Sequence, residues 1–215
     1  MNRPKQRGHT LKERVLELLK RGDFDVAVEE LCRLPLRAAV NPLFSYIQQG
    51  DEKVKWAAVK AMGAVVAKLA DHNMEAARII VRRLMWNLND ESGGIGWGSP
   101  EAMGEILARH RGLAEEYAHI LISYIREDGN YLENQVLQEG VLWAIGRVAE
   151  ISPDLIGNAV PYLLRYLDSP NATHRGLAAR AFGLLGVGRR PVLGSAEESF
   201  HEKSVGFHLS YTRLR

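Results

Sequence analysis

Apolar residues recur three and four positions apart through most of the chain, and short polar turns interrupt the pattern. One clear case is the row Val54, Ala57, Ala58, Ala61, Met62 and Val65. This spacing places the apolar side chains on one face of an amphipathic helix. The sequence therefore predicts a succession of helices, each with one buried face.

Four of the predicted helices align on a glycine that recurs about every 40 residues, at Gly63, Gly104, Gly146 and Gly183. In each helix an apolar residue comes directly before this glycine. A glycine inside a helix costs about 1 kcal/mol relative to alanine, so its repetition at one register needs a reason. Close approach of a neighbouring helix is the reason that the pattern predicts.

A second apolar helix precedes each of these four and ends in an acidic turn, in the segments 42–51, 80–90, 117–128 and 161–168. The repeating unit is therefore helix, short turn, helix. One such hairpin cannot bury its apolar face alone, so successive hairpins are expected to stack. Ahead of them, Thr10 and Glu13 predict a capping box for a helix over 11–20. A further helix is expected from Asp23 or Asp25 to near Pro35.

The last unit carries the most complete repeat pattern, at Pro161, Leu164, Leu167, Asp168, His174, Arg175, Leu177, Ala178, Ala179, Phe182 and Gly183. This pattern resembles HEAT repeats, especially the short repeats of the phycobilisome-lyase-like group. The first full unit has Lys55 where the pattern has arginine. The second unit departs most, because a glycine-rich stretch stands in place of the basic residue.

The resemblance implies an all-α fold, a right-handed α-α superhelix of about four helical-hairpin repeats plus N-terminal helices. It covers residues 10–187, which we expect to form a HEAT-like repeat domain. A basic tail over residues 1–9 precedes this domain. An irregular C-terminal tail, 188–215, follows it, because the helical pattern breaks after Gly188.

In HEAT-like arrays the second helix of each hairpin lines the concave face, so the resemblance also implies which side chains meet there. Counted from the aligned glycines, these are Trp56, Lys60, Glu101, Glu105, Trp143, Arg147 and Arg180. Glu101 and Glu105 share one helix face, and Arg147 is within reach of Glu105. One interpretation is a row of solvated ion pairs between repeats. The other is a charged groove with tryptophan walls that grips a peptide or a protein.

The glycine-rich stretch of the second unit is the most unusual local sequence, and its candidate binding residues are Asp90, Glu91, Gly94, Gly96, Trp97, Gly98 and Ser99. Ser99 is expected to cap the following helix, with Pro100 at its first position. Free amides at such a helix start can hold an anion, and Asp90 with Glu91 can offer oxygens to a hard cation. A plain turn between helices is the alternative, and a metal site is the least favoured interpretation.

The net charge of +2 gives no global field that would favour nucleic acid or a membrane surface. The single cysteine, Cys32, fits a reducing compartment and is expected to be a small buried hydrophobe. No long apolar segment and no signal peptide are visible, so we expect a cytoplasmic protein without a membrane span. No catalytic motif or metal-ligand spacing occurs, so neither enzyme activity nor a cofactor is expected.

The sequence thus favours a protein-interaction scaffold or adaptor that binds another protein or a peptide. Nucleic-acid binding through Trp56, Trp143, Lys60, Arg147 and Arg180 is a disfavoured alternative, because Glu101, Glu105 and Glu139 on the same face would repel phosphates. An accessory role like that of a chromophore lyase follows from the resemblance alone.

Overall fold

The computed structural model describes residues 4–89 and 96–186, with side chains from residue 11 onward. Three candidate binding residues, Asp90, Glu91 and Gly94, lie outside the described residues. So do the first three residues and the predicted C-terminal tail, 188–215.

The described residues fold into helices joined by short turns. In chain order these are α1 (Pro4–Leu19), α2 (Phe24–Leu31), α3 (Leu36–Tyr46), α4 (Glu52–His72), α5 (Met74–Leu88), α6 (Ser99–Arg109), α7 (Arg111–Ser123), α8 (Gln135–Ile151), α9 (Pro153–Ile156), α10 (Val160–Leu167) and α11 (Ala172–Leu184). A 3₁₀ turn over Gly157–Ala159 connects α9 to α10. No strand occurs within the described ranges.

The helices pair into antiparallel hairpins that stack in two layers. The second helices form one layer in the order α2, α4, α6, α8, α11, and each packs on the next. The first helices, α1, α3, α5, α7 and α9 with α10, form the other layer. A continuous apolar core lies between the layers. This arrangement confirms the predicted all-α solenoid, and we call the outer surface of the α2–α11 layer the second-helix face.

Polar side chains set the starts of several helices. The Asp51 carboxylate accepts hydrogen bonds from the backbone N–H groups of Lys53 and Val54, at 3.0 and 3.3 Å, ahead of α4. Asn134 caps α8 in the same way, at 2.9 and 3.3 Å. These contacts satisfy amides that have no partner inside the helix. The turn residues of the sequence pattern therefore define where the second helices begin.

Two predicted helix starts differ from the structure. Helix α1 begins at Pro4, so Thr10 lies inside it and is not the N-cap that its capping-box pattern predicts. Helix α6 is preceded by Gly98 in a left-handed conformation (φ 75°), so Gly98 is the N-cap and Ser99 is already helical. Glycine adopts positive φ without the steric cost that other residues have, and this favours it over serine as the cap.

Two of the aligned glycines lie where neighbouring helices come closest. A Cβ atom placed on Gly63 of α4 would lie 2.7 Å from Cβ of Glu105 on α6, and one on Gly104 of α6 would lie 2.6 Å from Cβ of Ala144 on α8. These separations are too short for real carbon atoms. The predicted role of the glycines in close helix approach is confirmed at these two interfaces.

The two glycines nearer the end of the chain differ. A Cβ atom on Gly146 would meet only the guanidinium end of Arg180, at 2.8 Å. Around Gly183 the described residues leave open space.

Cys32 is half-buried at the edge of the core, so it is less enclosed than expected. Within residues 4–89 and 96–186 no helix is both long and apolar enough to cross a membrane.

Candidate functional site

Two tryptophans from different repeats touch each other on the second-helix face. Trp56 of α4 and Trp143 of α8 have ring centroids 4.9 Å apart at an interplanar angle of 53°, and both are half-buried. Because α6 lies between α4 and α8, the two rings meet above α6. The Trp56 indole N–H also donates to Glu52, at 3.0 Å. The rings predicted to be groove walls therefore form a roof over the second repeat.

The roofed helix carries the two glutamates that were expected in an open groove. Every residue from Ser99 to Ala108 is buried, and Glu101 and Glu105 are only 6% and 2% exposed. The Lys55 ammonium lies 3.4 Å from the Glu101 carboxylate. Burial raises the pKa of Glu101, and the positive charge of Lys55 only partly opposes this. The expected solvated position of these carboxylates is therefore wrong.

Glu105 links two repeats by ion pairs. Its carboxylate accepts hydrogen bonds from Arg109 on its own helix, at 2.9 Å, and from Arg147 on α8, at 2.8 Å. The predicted contact between Glu105 and Arg147 is thus present, and it is largely enclosed. Arg147 also donates to Glu150, at 3.0 Å, and Glu150 accepts from Arg180 on α11. Sequence reasoning missed Glu150, although it stands one helical turn after Arg147.

Trp97 differs from the other two site tryptophans, because this residue is 46% exposed. The backbone on both sides of it is tightly held. A Cβ atom on Gly98 would lie 2.2 Å from the Ile47 carbonyl oxygen, and one on Gly96 would lie 3.0 Å from that of Asn87. Glycine at both positions therefore lets the chain pack closely, and the structure presents Trp97 on a fixed turn.

The start of α6 is less open to an external anion than its sequence indicates. Ser99 is fully buried, and its hydroxyl has no hydrogen-bond partner among the described residues. The buried carboxyl group of Glu101 stands in the first turn of the same helix. No group of three or more metal-ligating side chains occurs in the described part of the chain.

Three further features complete the second-helix face. Lys60 is exposed on α4, and its ammonium lies 5.8 Å from the centroid of the Phe24 ring. Val136 and Ile151, near the two ends of α8, are exposed apolar residues that the sequence reasoning did not select. Gly140 was also missed: a Cβ atom there would lie 2.7 Å from the Glu101 carboxylate.

The geometry agrees with what comparison with known proteins shows. Residues 136–185, from α8 to the end of α11, match the HEAT-like repeat family. An uncharacterized protein of Archaeoglobus fulgidus is 29% identical over 123 residues, which cover 57% of this chain and 61% of the relative. The matched region thus spans about three fifths of that protein's length.

Two engineered proteins are similar to this chain in structure. One engineered protein is 17% identical with a TM-score of 0.46, and the match covers 82% of this chain and 79% of that one. A designed armadillo repeat protein is 19% identical with a TM-score of 0.44, and the match covers 80% of each chain. The match to HEAT-like repeats covers the last part of the described residues, and the stacked hairpins form an all-α solenoid.

Proposed function

We propose that this protein is an interaction scaffold that binds a partner protein on the second-helix face and at the turn before α6. The observation that supports this most directly is Trp97, a large exposed aromatic residue held between two closely packed glycines. Aromatic anchors of this kind contribute much of the affinity at protein interfaces. A preformed backbone also lowers the ordering cost of binding.

The surroundings of Trp97 extend this anchor into a surface. Gly96 packs against Leu137 of α8, with a virtual Cβ distance of 3.3 Å to the leucine side chain. Trp97 therefore lies beside the start of α8, where Val136 is exposed. The Trp56–Trp143 roof follows farther along the same layer. Aromatic residues and arginine are enriched at protein interfaces.

The other two functions weighed from the sequence have less support. Arg147 and Arg180, the arginines expected to grip phosphates, already donate hydrogen bonds to Glu105 and Glu150. A nucleic acid would have to compete with these carboxylates for them. For a chromophore-lyase-like role, no contact among the described residues adds to the sequence resemblance.

The test is selection of binding peptides from a displayed random library on the immobilised protein, followed by affinity measurement by fluorescence anisotropy. We expect Trp97→Ala to weaken the selected peptides at least about tenfold, since loss of a central aromatic anchor has effects of this order. Leu164→Ala, an exposed apolar residue on α10 in the first-helix layer, is the matched control and should bind as the wild type does.

A circular dichroism spectrum shows whether both variants keep the helical fold. Equal affinity of Trp97→Ala and the wild type would contradict the role of this turn. Failure to select any peptide, together with tight binding of DNA at low salt, would contradict the scaffold function itself.

A further inference from the structure

A chain of alternating charges crosses the second-helix face. Arg109 on α6, Arg147 on α8 and Arg180 on α11 come from three successive second helices. Glu105 joins the first pair, with contacts of 2.9 and 2.8 Å, and Glu150 joins the second pair. Three guanidinium groups thus share two carboxylates, so the chain of charges keeps an excess of positive charge.

The acids and bases in this row differ in depth. The Glu105 carboxylate is 3% exposed, whereas the side chains of Arg109 and Arg180 are about one third exposed. Arg147 lies between these values. A partner approaching from solvent therefore meets guanidinium groups before it meets the Glu105 carboxylate. Charges near a protein surface interact more strongly than charges in bulk water, because the effective dielectric constant is lower. The exposed guanidinium groups therefore attract a negatively charged partner more than the buried carboxylate repels it.

Helix α4 adds two lysines to the same surface. Lys60 and Lys68 are exposed, and the structure places no carboxylate of its described residues within ion-pair distance of either ammonium. Arg109 packs on α4, since a Cβ atom placed on Gly63 would lie 3.1 Å from the Cδ atom of Arg109. The lysines of α4 thus continue the row that begins at Arg109.

Three other carboxylates near the second-helix face have polar neighbours of their own. Glu52 accepts from the Trp56 indole, Asp71 lies 3.8 Å from His110, and Glu139 accepts from Asn171. Each of these acids already has a neighbour in the fold. The row itself holds five cations and the two carboxylates that link the arginines. Its excess positive charge is complementary to a ligand that carries a few separated negative groups.

Resting on the proposed function, we infer that this row binds an acidic segment of the partner protein in an extended conformation. Neighbouring packed helices lie about 8–10 Å apart, and an extended chain advances about 3.3 Å per residue. An acidic residue at every third position would therefore meet successive second helices. One carboxylate pairs with a lysine of α4, either Lys60 or Lys68, and the next ones pair with the exposed edges of the arginines. The residues between them contact apolar side chains such as Ile151.

An acidic peptide fits this row better than a nucleic acid does. Affinity for nucleic acid grows with the number of phosphates that are neutralised. Only the two lysines of the row are free of carboxylates, and Glu150 lies among the arginines at a similar exposure to Arg180. A continuous phosphate backbone would pass close to Glu150, whereas a peptide can place a neutral residue there.

The test measures binding of synthetic labelled peptides by fluorescence anisotropy at low and at physiological salt. One peptide has glutamate at every third position with serine and leucine between. A second has the same composition with adjacent glutamates, a third has lysine in place of glutamate, and a DNA oligonucleotide of matching charge is the fourth probe. We expect the spaced acidic peptide to bind most tightly and the lysine peptide not to bind.

The variant Lys60→Glu with Lys68→Glu should weaken the spaced peptide at least about tenfold, because two exposed attractive charges become repulsive. Both lysines lack ion pairs, so the fold should be retained. The matched control, Lys20→Glu with Arg37→Glu, makes the same change of charge at exposed positions in the first-helix layer and should bind as the wild type does.

Equal losses in the two double variants, no binding of the spaced peptide, or tighter binding of DNA would each overturn the inference. The last of these would indicate a nucleic-acid surface instead. If library peptides still depend on Trp97 while the double variant at Lys60 and Lys68 binds them normally, the acidic inference fails and the scaffold function stands. If neither dependence is seen, both fail.

Discussion

Helices α6 and α11 occupy equivalent positions in the repeat, yet their environments are opposite. Both are second helices, and both carry the aligned glycine, Gly104 in α6 and Gly183 in α11. All of α6 from Ser99 to Ala108 is buried between α4 and α8. In α11 the described residues leave Gly183 exposed, with no atom within 4 Å of a virtual Cβ.

The repeated glycine predicts which face of each second helix lacks a Cβ atom. The distance to the neighbouring helix determines how much this glycine contributes to stability. A missing Cβ is useful where another helix backbone comes close, as Ala144 does at Gly104. Where nothing comes close, the same glycine only lowers helix stability. The four aligned glycines look equivalent in the sequence, but they contribute unequally to the stability of the fold.

Gly104→Ala should have the largest effect. The added Cβ would lie 2.6 Å from Cβ and 2.7 Å from Cα of Ala144, so α6 and α8 would have to separate. Overpacking of this kind costs about 3 kcal/mol of unfolding free energy, which exceeds the gain of about 1 kcal/mol in helix propensity. Urea unfolding followed by tryptophan fluorescence measures the change, because Trp143 lies one residue before Ala144.

Unchanged stability of Gly104→Ala would mean that α6 and α8 lie farther apart than the structure shows. Gly146→Ala provides an internal comparison. Its Cβ would meet only the end of a flexible arginine side chain, which can move aside at small cost. We expect this second variant to lie within about 1 kcal/mol of the wild type.

Much of the fold could be predicted because it depends on local spacing. The apolar period, the polar turns and the recurring glycine predict the hairpins and their stacking order. Contact between Glu105 and Arg147 was expected because both stand one position after their glycine, on the face that the HEAT-repeat resemblance implies to be concave. Helix starts were less accurate at Thr10 and Ser99, where the structure has an earlier helix and a glycine cap.

Burial of the site could not be predicted because it depends on how sharply the layers curve. Trp56 and Trp143 are separated by a whole repeat along the chain, and their contact requires α4 and α8 to converge above α6. Sequence spacing predicts that these side chains share a face, but it does not give the distance between them. For the same reason Glu101 was expected in solvent and lies buried beside Gly140.

Gly183→Ala should have a smaller effect, of opposite sign to that of Gly104→Ala. With open space around this position, the alanine removes the conformational cost of glycine in a helix. We expect the unfolding free energy to rise by about 0.5–1 kcal/mol, measured by the same urea titration. A loss of stability would instead show that another segment packs against Gly183 as α8 packs against Gly104.

Glu101→Gln should change the free energy of unfolding least of these variants at acidic pH. The difference from the wild type should grow as pH rises. Burial raises the pKa of Glu101 above its ordinary value of 4.5, so the folded state favours the protonated carboxyl. The stability that this group contributes is therefore fully present below pH 4.5 and is lost as pH rises through the folded pKa. Glutamine cannot ionise, so the variant does not lose stability in this way as pH rises. Urea titrations between pH 4 and 7 should therefore show the variant gaining on the wild type as pH increases.

Glu116→Gln is the matched variant with the opposite sign. Hydrogen bonds from Arg78, at 2.8 and 2.6 Å, lower the pKa of Glu116, so its contribution is present above the ordinary pKa and is lost as pH falls. Because this pair is half-exposed, water screens it and the change should be small. Parallel pH trends in the two variants would contradict the placement of Glu101 under the tryptophan roof. Opposite trends would agree with a buried carboxyl group at Glu101 and a half-exposed ion pair at Glu116.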